Sequence, residues 1–148
     1  LRQEVWKKPD ELVEVVMEAV KLSDVVKFSE EELMLLTATE SIEAGLKQLE
    51  SFNLPLVVIT QGEEGSLVIA NNQQFRVSAN PVNVVDTTGA GDAFVSGLLA
   101  KLSQHTHWNE HSVIVNAVKW GNACGGLATT QKGAMTALPN KLELEALL

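Results

Sequence analysis

Residues 84–94 read VVDTTGAGDAF: an apolar run ends at Asp86, two threonines and Gly89-Ala90-Gly91 follow, and Asp92 opens an apolar, helix-like segment. A helix N-terminus presents unpaired backbone N–H groups and partial positive charge. Glycines at such a terminus let an anion approach the backbone closely. The stretch therefore predicts a turn into a helix, with main-chain amides that are able to hold a phosphate.

This turn differs from two better-known phosphate motifs. A Walker loop would place a lysine and a hydroxyl residue directly after Gly91, and a GxGxxG fingerprint would need glycine where Phe94 stands. Asp92 takes the lysine's place, so we expect amides to hold the phosphate with no lysine beside them. The carboxylate would accept a proton from an attacking hydroxyl. The residues alone equally allow a plain turn in which Asp92 only caps the helix.

Size and composition indicate one globular domain. The chain has 148 residues, of which 45% are hydrophobic, enough for a sizeable core and against disorder. A formal net charge of −8 at pH 7 argues against a nucleic-acid partner. No apolar run approaches the roughly 20 residues of a membrane span. The single cysteine, Cys124, excludes an internal disulfide framework and fits a reducing, cytoplasmic environment.

Hydrophobic periodicity predicts an α/β arrangement, because helices and strands alternate first, a β meander follows, and helices end the chain. The predicted helices cover residues 9–23, 29–36, 39–52, 90–103 and 111–129, and the predicted strands cover 25–28, 56–60, 66–70 and 74–78. We find no internal repeat or linker, so the sequence indicates no second domain.

The 86–94 segment resembles the C-terminal signature of the ribokinase-like (PfkB) family of sugar and nucleoside kinases. Further segments resemble family motifs in the same order: VKFSEEEL at 26–33 (the NxxE region), TQGEEG at 60–65 (the TxGxxG nucleotide turn) and GLATTQKGAMTALP at 126–139. Residues 1–6 are similar to the piece after the family's Asp-Pro-Asn strand. The resemblance implies a three-layer α/β/α ribokinase-like (Rossmann-like) fold, with residues 1–148 as its C-terminal, ATP-binding portion.

The resemblance also implies a reaction, the transfer of a phosphoryl group from ATP to the hydroxymethyl group of a sugar. Asp92 would be the catalytic base, and Gly89, Ala90 and Gly91 would form the anion hole. Residues 126–139 are especially similar to bacterial fructokinases and aminoimidazole riboside kinases. D-fructose is therefore the first expected acceptor, with aminoimidazole riboside and ribose as alternatives.

Nucleotide contacts are implied at two places. Thr60, Gly62 and Gly65 would contact ATP, although a Gly-rich turn between two strands would look the same. Asn122 matches a family asparagine near adenine, with a merely solvated side chain as the alternative. The same helix carries Gly125 and Gly126, which would let the purine lie flat or would only permit close helix packing.

Metal ions are implied as well. Glu32 would belong to a magnesium shell, through water, but Ser29 and Glu32 also match a capping box, and Ser29 replaces the family's asparagine. A potassium site would use Asp86 and Thr88 together with backbone carbonyls, and in the alternative Asp86 only caps the turn. The residues expected to supply those carbonyls are Ala128, Gln131 and Gly133. His105, His107 and His111 fit no standard metal spacing.

The family's N-terminal half, with most sugar contacts and a small β lid, has no counterpart here. We therefore expect a segment of a longer protein, inactive alone, with part of its sheet edge exposed. The lid would mediate a homodimer, and Trp6 would approach the substrate region. Non-enzymatic alternatives are a nucleotide-binding regulatory module, which would not need Asp92, and a sugar-binding domain without ATP turnover.

Overall fold

The computed structural model describes residues 9–148, and within them helices lie on both faces of a four-stranded mixed sheet. The helices are α1 (Pro9–Lys21), α2 (Glu30–Thr37), α3 (Ile42–Leu49), α4 (Ala90–Leu102), α5 (His111–Ala128) and α6 (Lys141–Leu147). The strands are β1 (Val25–Ser29), β2 (Leu56–Thr60), β3 (Ser66–Ala70) and β4 (Gln73–Val77). Short 3₁₀ turns cover Glu50–Phe52 and Gly62–Glu64.

The sheet order is β1-β2-β3-β4, with β1 parallel to β2 and the other pairs antiparallel. Parallel strands need a crossover, and α2 and α3 provide it. In the register of this pair Ser29 lies beside Thr60, so both strands end at the same edge. Ligands of α/β sheets bind outside such carboxyl ends. The topology thus places TQGEEG next to the end of β1.

Alternation along the strands divides the core into two apolar clusters. Leu56 and Val58 of β2 pack with α4 and α5, whereas Val57 and Ile59 pack with α1, α2 and α3. Successive strand residues point to opposite faces, so a strand buried on both sides needs apolar residues throughout. Helices therefore cover both faces of the sheet, and the predicted three-layer α/β/α arrangement is confirmed.

The same alternation orients Lys27 on β1. Val26 and Phe28 belong to the cluster under α1–α3, whereas Val25 packs against the α4–α5 cluster. Lys27 must therefore point to the α4–α5 side of the sheet, and only 14% of its side chain is exposed. A charged residue is thus held in a largely buried position beside the N-terminus of α4.

Glycines bring α4 and α5 unusually close. A Cβ added at Gly97 would lie 2.5 Å from Cys124 Sγ and 2.8 Å from the Trp120 carbonyl oxygen. A Cβ at Gly121 would lie 2.9 Å from the Phe94 ring. Side chains at these positions would force the helices apart, so the N-terminus of α4 is fixed against the last turns of α5.

Most predicted elements are present close to their predicted bounds, with two differences. The helix predicted over 39–52 begins only at Ile42, because Ser41 is its N-cap and accepts the Ala44 N–H at 3.2 Å. Helix α6 was not predicted. This helix has only seven residues. Asn140 is its N-cap, and the Asn140 side-chain oxygen accepts hydrogen bonds from the N–H groups of Leu142 and Glu143.

The outer edge of β1 has no partner strand within residues 9–148. In the same part of the chain no helix combines the length and apolarity needed to cross a membrane. Residues 1–6, including Trp6, lie outside the described residues.

Candidate functional site

A cavity of about 590 Å³ opens where the carboxyl ends of β1 and β2 meet the N-terminus of α4 and the last turns of α5. Its wall includes residues that were predicted from the sequence to bind ATP or its phosphate: Thr60, Gly62, Gly65, Ala90, Gly91, Asn122, Gly125 and Gly126. The fold therefore joins the predicted nucleotide turn, anion hole and adenine region in one space. Other wall residues were not predicted: Lys27, Ser29, Glu63, Ala79, Asn80, Pro81, Val82, Val84, Thr87, Phe94 and Thr129.

The proposed anion hole is only partly available. Gly89 is the N-cap of α4 with φ 83°, and the Ala90 N–H donates to the Thr87 carbonyl oxygen at 3.2 Å. The expectation that Ala90 offers its amide to a phosphate is therefore wrong, because the turn into α4 already uses it. The Gly89, Gly91 and Asp92 amides donate to no acceptor within residues 9–148. Among the amides of residues 89–92, these three are available to an anion.

A lysine lies beside these amides, contrary to the sequence prediction. A Cβ added at Gly91 would lie only 3.2 Å from Lys27 Nζ. The expectation of a phosphate site without a lysine failed because the lysine comes from β1, far from the Gly-rich turn in sequence. A lysine in the middle of a buried strand, VVKFS, was the available signal.

Asp92 lies in the first turn of α4, directly after Gly91, and its side chain is exposed. It does not line the cavity wall, and its carbonyl oxygen accepts the Ser96 hydroxyl at 2.8 Å. The carboxylate is thus not turned into the interior. This position suits a group facing a second substrate outside the nucleotide cavity.

The nucleotide turn has one glycine required by the fold and one that faces open space. Gly65 has φ 93°, and a Cβ there would lie 2.2 Å from the Val77 carbonyl oxygen, so no larger residue fits. Gly62 has φ 57°, and its added Cβ would meet nothing within 4 Å. The Thr60 hydroxyl donates to the Phe28 carbonyl oxygen at 3.2 Å. Gly62 is therefore the predicted residue with room for a ligand.

Asn122 is largely buried, and its side-chain amide is bonded within the chain. Its Oδ1 accepts the Ser66 hydroxyl at 2.7 Å, and its Nδ2 donates to the carbonyl oxygens of Val77, at 3.0 Å, and Ser78, at 3.4 Å. These bonds occupy both ends of a buried amide. The reading of Asn122 as a merely solvated side chain is therefore wrong, because it ties α5 to β3 and to the end of β4. Asn122 lines the cavity, and its contact with adenine stays a prediction.

Gly125 has the packing role suggested for it, whereas close helix packing does not require Gly126. A Cβ at Gly125 would lie 3.1 Å from the Ala90 carbonyl oxygen, so this glycine permits close packing of α4 on α5. A Cβ at Gly126 would meet only Val82, at 3.6 Å, which is ordinary contact. Close packing therefore does not require a glycine at position 126, which lines the cavity, and its contact with the purine stays a prediction.

Glu32 completes a capping box on α2. Its Oε2 accepts the Ser29 N–H at 2.8 Å, and its own N–H donates to Ser29 Oγ at 3.2 Å. Lys27 Nζ lies 3.5 Å from the same Oε2. Burial raises the pKa of Glu32, but favourable interactions, including the Ser29 N–H and the Lys27 ammonium, outweigh burial and leave the pKa below its ordinary value.

Asp86 joins the two segments of the predicted potassium site. Its Oδ1 accepts the N–H and hydroxyl of Thr88, and its Oδ2 accepts the Gly133 N–H at 3.0 Å. These bonds, with that from Gly133 the largest, lower the pKa of Asp86 to about 2. The capping role is therefore present.

The carbonyl oxygens of Ala128 and Gln131 accept no hydrogen bond within residues 9–148. Oxygen donors of this kind suit a hard monovalent cation. Among the described side chains, no group of three or more His, Cys, Asp or Glu residues is placed to hold a metal ion.

Comparison with known proteins agrees with this arrangement. Residues 2–141 match the profile of the pfkB family carbohydrate kinase. A fructokinase of Vibrio alginolyticus is 53% identical over 97% of this chain and 47% of its own length. An aminoimidazole riboside kinase of Salmonella typhimurium is 38% identical over 100% of this chain and 46% of its own. The chain thus spans about half the length of these relatives.

Solved structures show the same fold. A double mutant of the fructokinase of Vibrio cholerae O395, determined with fructose, ADP and a potassium ion, has a TM-score of 0.97 and 58% identity over 100% of this chain and 48% of its own. The aminoimidazole riboside kinase of Salmonella enterica, determined with aminoimidazole riboside and an ATP analogue, has a TM-score of 0.92 and 38% identity over 99% and 49%. The predicted ribokinase-like α/β fold is confirmed, and the chain belongs to the pfkB family of carbohydrate kinases.

Proposed function

We propose that the protein containing this chain transfers the terminal phosphoryl group of ATP to a sugar hydroxymethyl group, with D-fructose, giving fructose 6-phosphate, as the first acceptor. Family membership and the similar fructokinases support this proposal. The single observation that carries it is the cavity, because it connects the open turn at Gly62 with the unbonded amide of Gly91 on α4. An elongated ligand with an anionic end fits such a space.

In this proposal each part of the site has one task. The purine lies in the part of the cavity that Gly126 lines, and the terminal phosphate meets the amides of Gly89, Gly91 and Asp92. The Asp92 carboxylate accepts the proton of the sugar hydroxyl. The sugar oxygen forms a bond to the terminal phosphorus while the bond from that phosphorus to ADP breaks, and ADP leaves with the electron pair. The amides stabilise the charge on the transferring group.

Cations would support the same step. Magnesium, when bound to ATP, neutralises phosphate charge, and Glu32 would act on it through water because Oε2 is already engaged by Ser29. Potassium would be held by Asp86 with the carbonyl oxygens of Ala128 and Gln131, and would order the turn before α4. The Thr88 hydroxyl and the Gly133 carbonyl oxygen complete the predicted set. The Gly133 N–H is bonded to Asp86 and fixes this segment beside the carboxylate.

Two further predictions belong to the complete protein. A homodimer through a β lid rests on the family resemblance alone, as does the assignment of residues 1–148 as one partial domain. The cytoplasmic location rests on the single cysteine. Size-exclusion chromatography with light scattering on the full-length protein tests the dimer directly.

The experiment for the proposed function is a panel of sugars and nucleosides with ATP and Mg²⁺, run on the full-length protein with and without K⁺. We expect phosphorylation of fructose, and the Asp92→Asn variant should lose about 10²- to 10⁴-fold in turnover while it still binds ATP. Asp24→Asn is the matched control, because Asp24 is exposed at the opposite end of β1. If no acceptor is phosphorylated, or if Asp92→Asn works normally, the kinase proposal is wrong.

Aminoimidazole riboside is the second candidate acceptor, and the 38% identical Salmonella kinase favours it. Both acceptors present a primary hydroxyl, so the chemistry at Asp92 is unchanged. The kcat/KM values of the two acceptors, measured in parallel on the full-length wild-type protein, decide between them, because the preferred acceptor has the higher value.

A further inference from the structure

We propose that Lys27 is a phosphate-binding residue of this site, supplied by strand β1 in place of the lysine that a Walker loop would carry. The proposal rests on the kinase function proposed above and adds a cationic residue to it. Its basis is the convergence of the Lys27 ammonium, the unbonded amides of α4 and the cavity.

The position of the ammonium is the first argument. Lys27 Nζ lies 3.2 Å from where a Cβ of Gly91 would be, and Lys27 itself lines the cavity. Gly91 thus leaves the space that the ammonium occupies. A phosphate that accepts the Gly91 N–H would lie within reach of this cation, and a charged donor strengthens such a bond about twofold over a neutral one.

The charge balance around Lys27 is the second argument. Within the described part of the chain its acceptor is Glu32 Oε2 at 3.5 Å, which is long for a bond between charged groups. That oxygen also accepts the Ser29 N–H at 2.8 Å. An ammonium has three donors, and burying 86% of the side chain removes much of its hydration. A bound anion would supply acceptors that residues 9–148 do not offer to this largely buried cation.

In this proposal Glu32 is the residue that positions the Lys27 side chain. The carboxylate is fixed by the capping box with Ser29, so it holds the ammonium on the cavity side of β1. The chain carries a net charge of −8, which by itself would repel ATP. The Lys27 ammonium places a positive charge on the cavity wall beside Gly91, where the phosphate has to bind.

The test measures whether Lys27 contributes to the binding of the phosphate groups or of the nucleoside. Dissociation constants for ATP, AMP and adenosine are measured by calorimetry on full-length wild type, Lys27→Met, Lys27→Arg and Lys47→Met. We expect Lys27→Met to weaken ATP about 10- to 100-fold, to leave adenosine unchanged, and to be partly rescued in Lys27→Arg. Lys47 is an exposed lysine on α3, so the Lys47→Met variant should bind all three ligands as the wild type does.

A second measurement needs no variant. Acetylation of the wild-type protein, read by mass spectrometry, should show Lys27 protected by ATP and not by adenosine. Equal weakening of ATP and adenosine in Lys27→Met, or acetylation of Lys27 that ATP does not slow, would overturn the assignment. Failure of the wild type to bind ATP or phosphorylate any acceptor would instead overturn the proposed function, so the two failures are distinguishable.

Discussion

At the scale of single residues, Asp86 makes a pH-dependent contribution that is open to direct test. The pKa of this carboxyl is about 2 because the N–H groups of Gly133 and Thr88 and the Thr88 hydroxyl all donate to its charged form. A lowered pKa in the folded state means that ionised Asp86 stabilises the fold. That stabilisation is complete above the unfolded pKa, about 3.9. It is lost as the pH falls through about 2.

We therefore predict that Asp86→Asn lowers the melting temperature at neutral pH and that the difference from wild type shrinks as the pH falls from about 4 to about 2. The amide chemical shift of Gly133, followed by NMR, should titrate near pH 2 in wild type and show no such step in the variant. Asp24→Asn is again the control. A Gly133 titration near pH 4 would show that Asp86 is not held as described.

Residue roles were predictable where a local motif carries them. Gly62 and Gly91 were nominated from short Gly-rich motifs, and both line the cavity. Lys27 and the bonds of Asn122 were not foreseen, because each depends on which distant segments the fold brings together. Lys27 meets Gly91, and Asn122 meets Ser66, across more than one element. A local sequence pattern does not contain such a pairing.

At the scale of elements, the packing of α4 on α5 yields a second prediction. Replacing a helical glycine by alanine favours the helix by about 0.5–1 kcal/mol. At Gly97, however, the new Cβ would lie 2.5 Å from Cys124 Sγ and 2.8 Å from a backbone oxygen. Overpacking of this kind costs about 1–3 kcal/mol, so steric conflict should outweigh the gain. We expect Gly97→Ala to lower the free energy of unfolding in urea.

Gly126→Ala is the matched control, since it makes the same change in the partner helix where the new Cβ meets Val82 at an ordinary 3.6 Å. Its free energy of unfolding should be equal to that of wild type or higher. Because Gly126 lines the cavity, loss of ATP affinity in this variant would arise in the site rather than in the fold. Gly97→Ala with unchanged stability would contradict the close packing of the two helices.

The elements themselves were largely predictable because their apolar residues recur with a clear period. Residues 56–60, LVVIT, are apolar on both faces and form the central strand β2. Helix α6 was missed because seven residues give too few turns for a period to be recognised. The late start of α3 depended on Ser41, a cap whose effect is visible only in its bond to the Ala44 N–H.

At the scale of the whole molecule, the cavity lies where the sheet meets the α4–α5 layer. Its wall takes residues from β1 and β2, from the turn after β2, and from α4 and α5. The apolar cluster on the α4–α5 face joins β2, α4 and α5, and Val25 of β1 packs against it. The layered fold was predictable from the order of elements. The way in which the layers enclose a site required the register of β1 on β2.

A ligand in this cavity should therefore stabilise the protein as a unit. A ligand that binds only the folded state raises the free energy of unfolding by about 2.7 kcal/mol when its free concentration is 100 times its dissociation constant. For ATP we expect a rise in melting temperature of several degrees in differential scanning calorimetry, and a smaller rise for adenosine at the same concentration. The difference should disappear in Lys27→Met and persist in Lys47→Met, because only Lys27 lies at the phosphate end. If ATP leaves the melting temperature unchanged while a sugar raises it, the cavity does not bind a nucleotide, and the chain serves a sugar-binding protein.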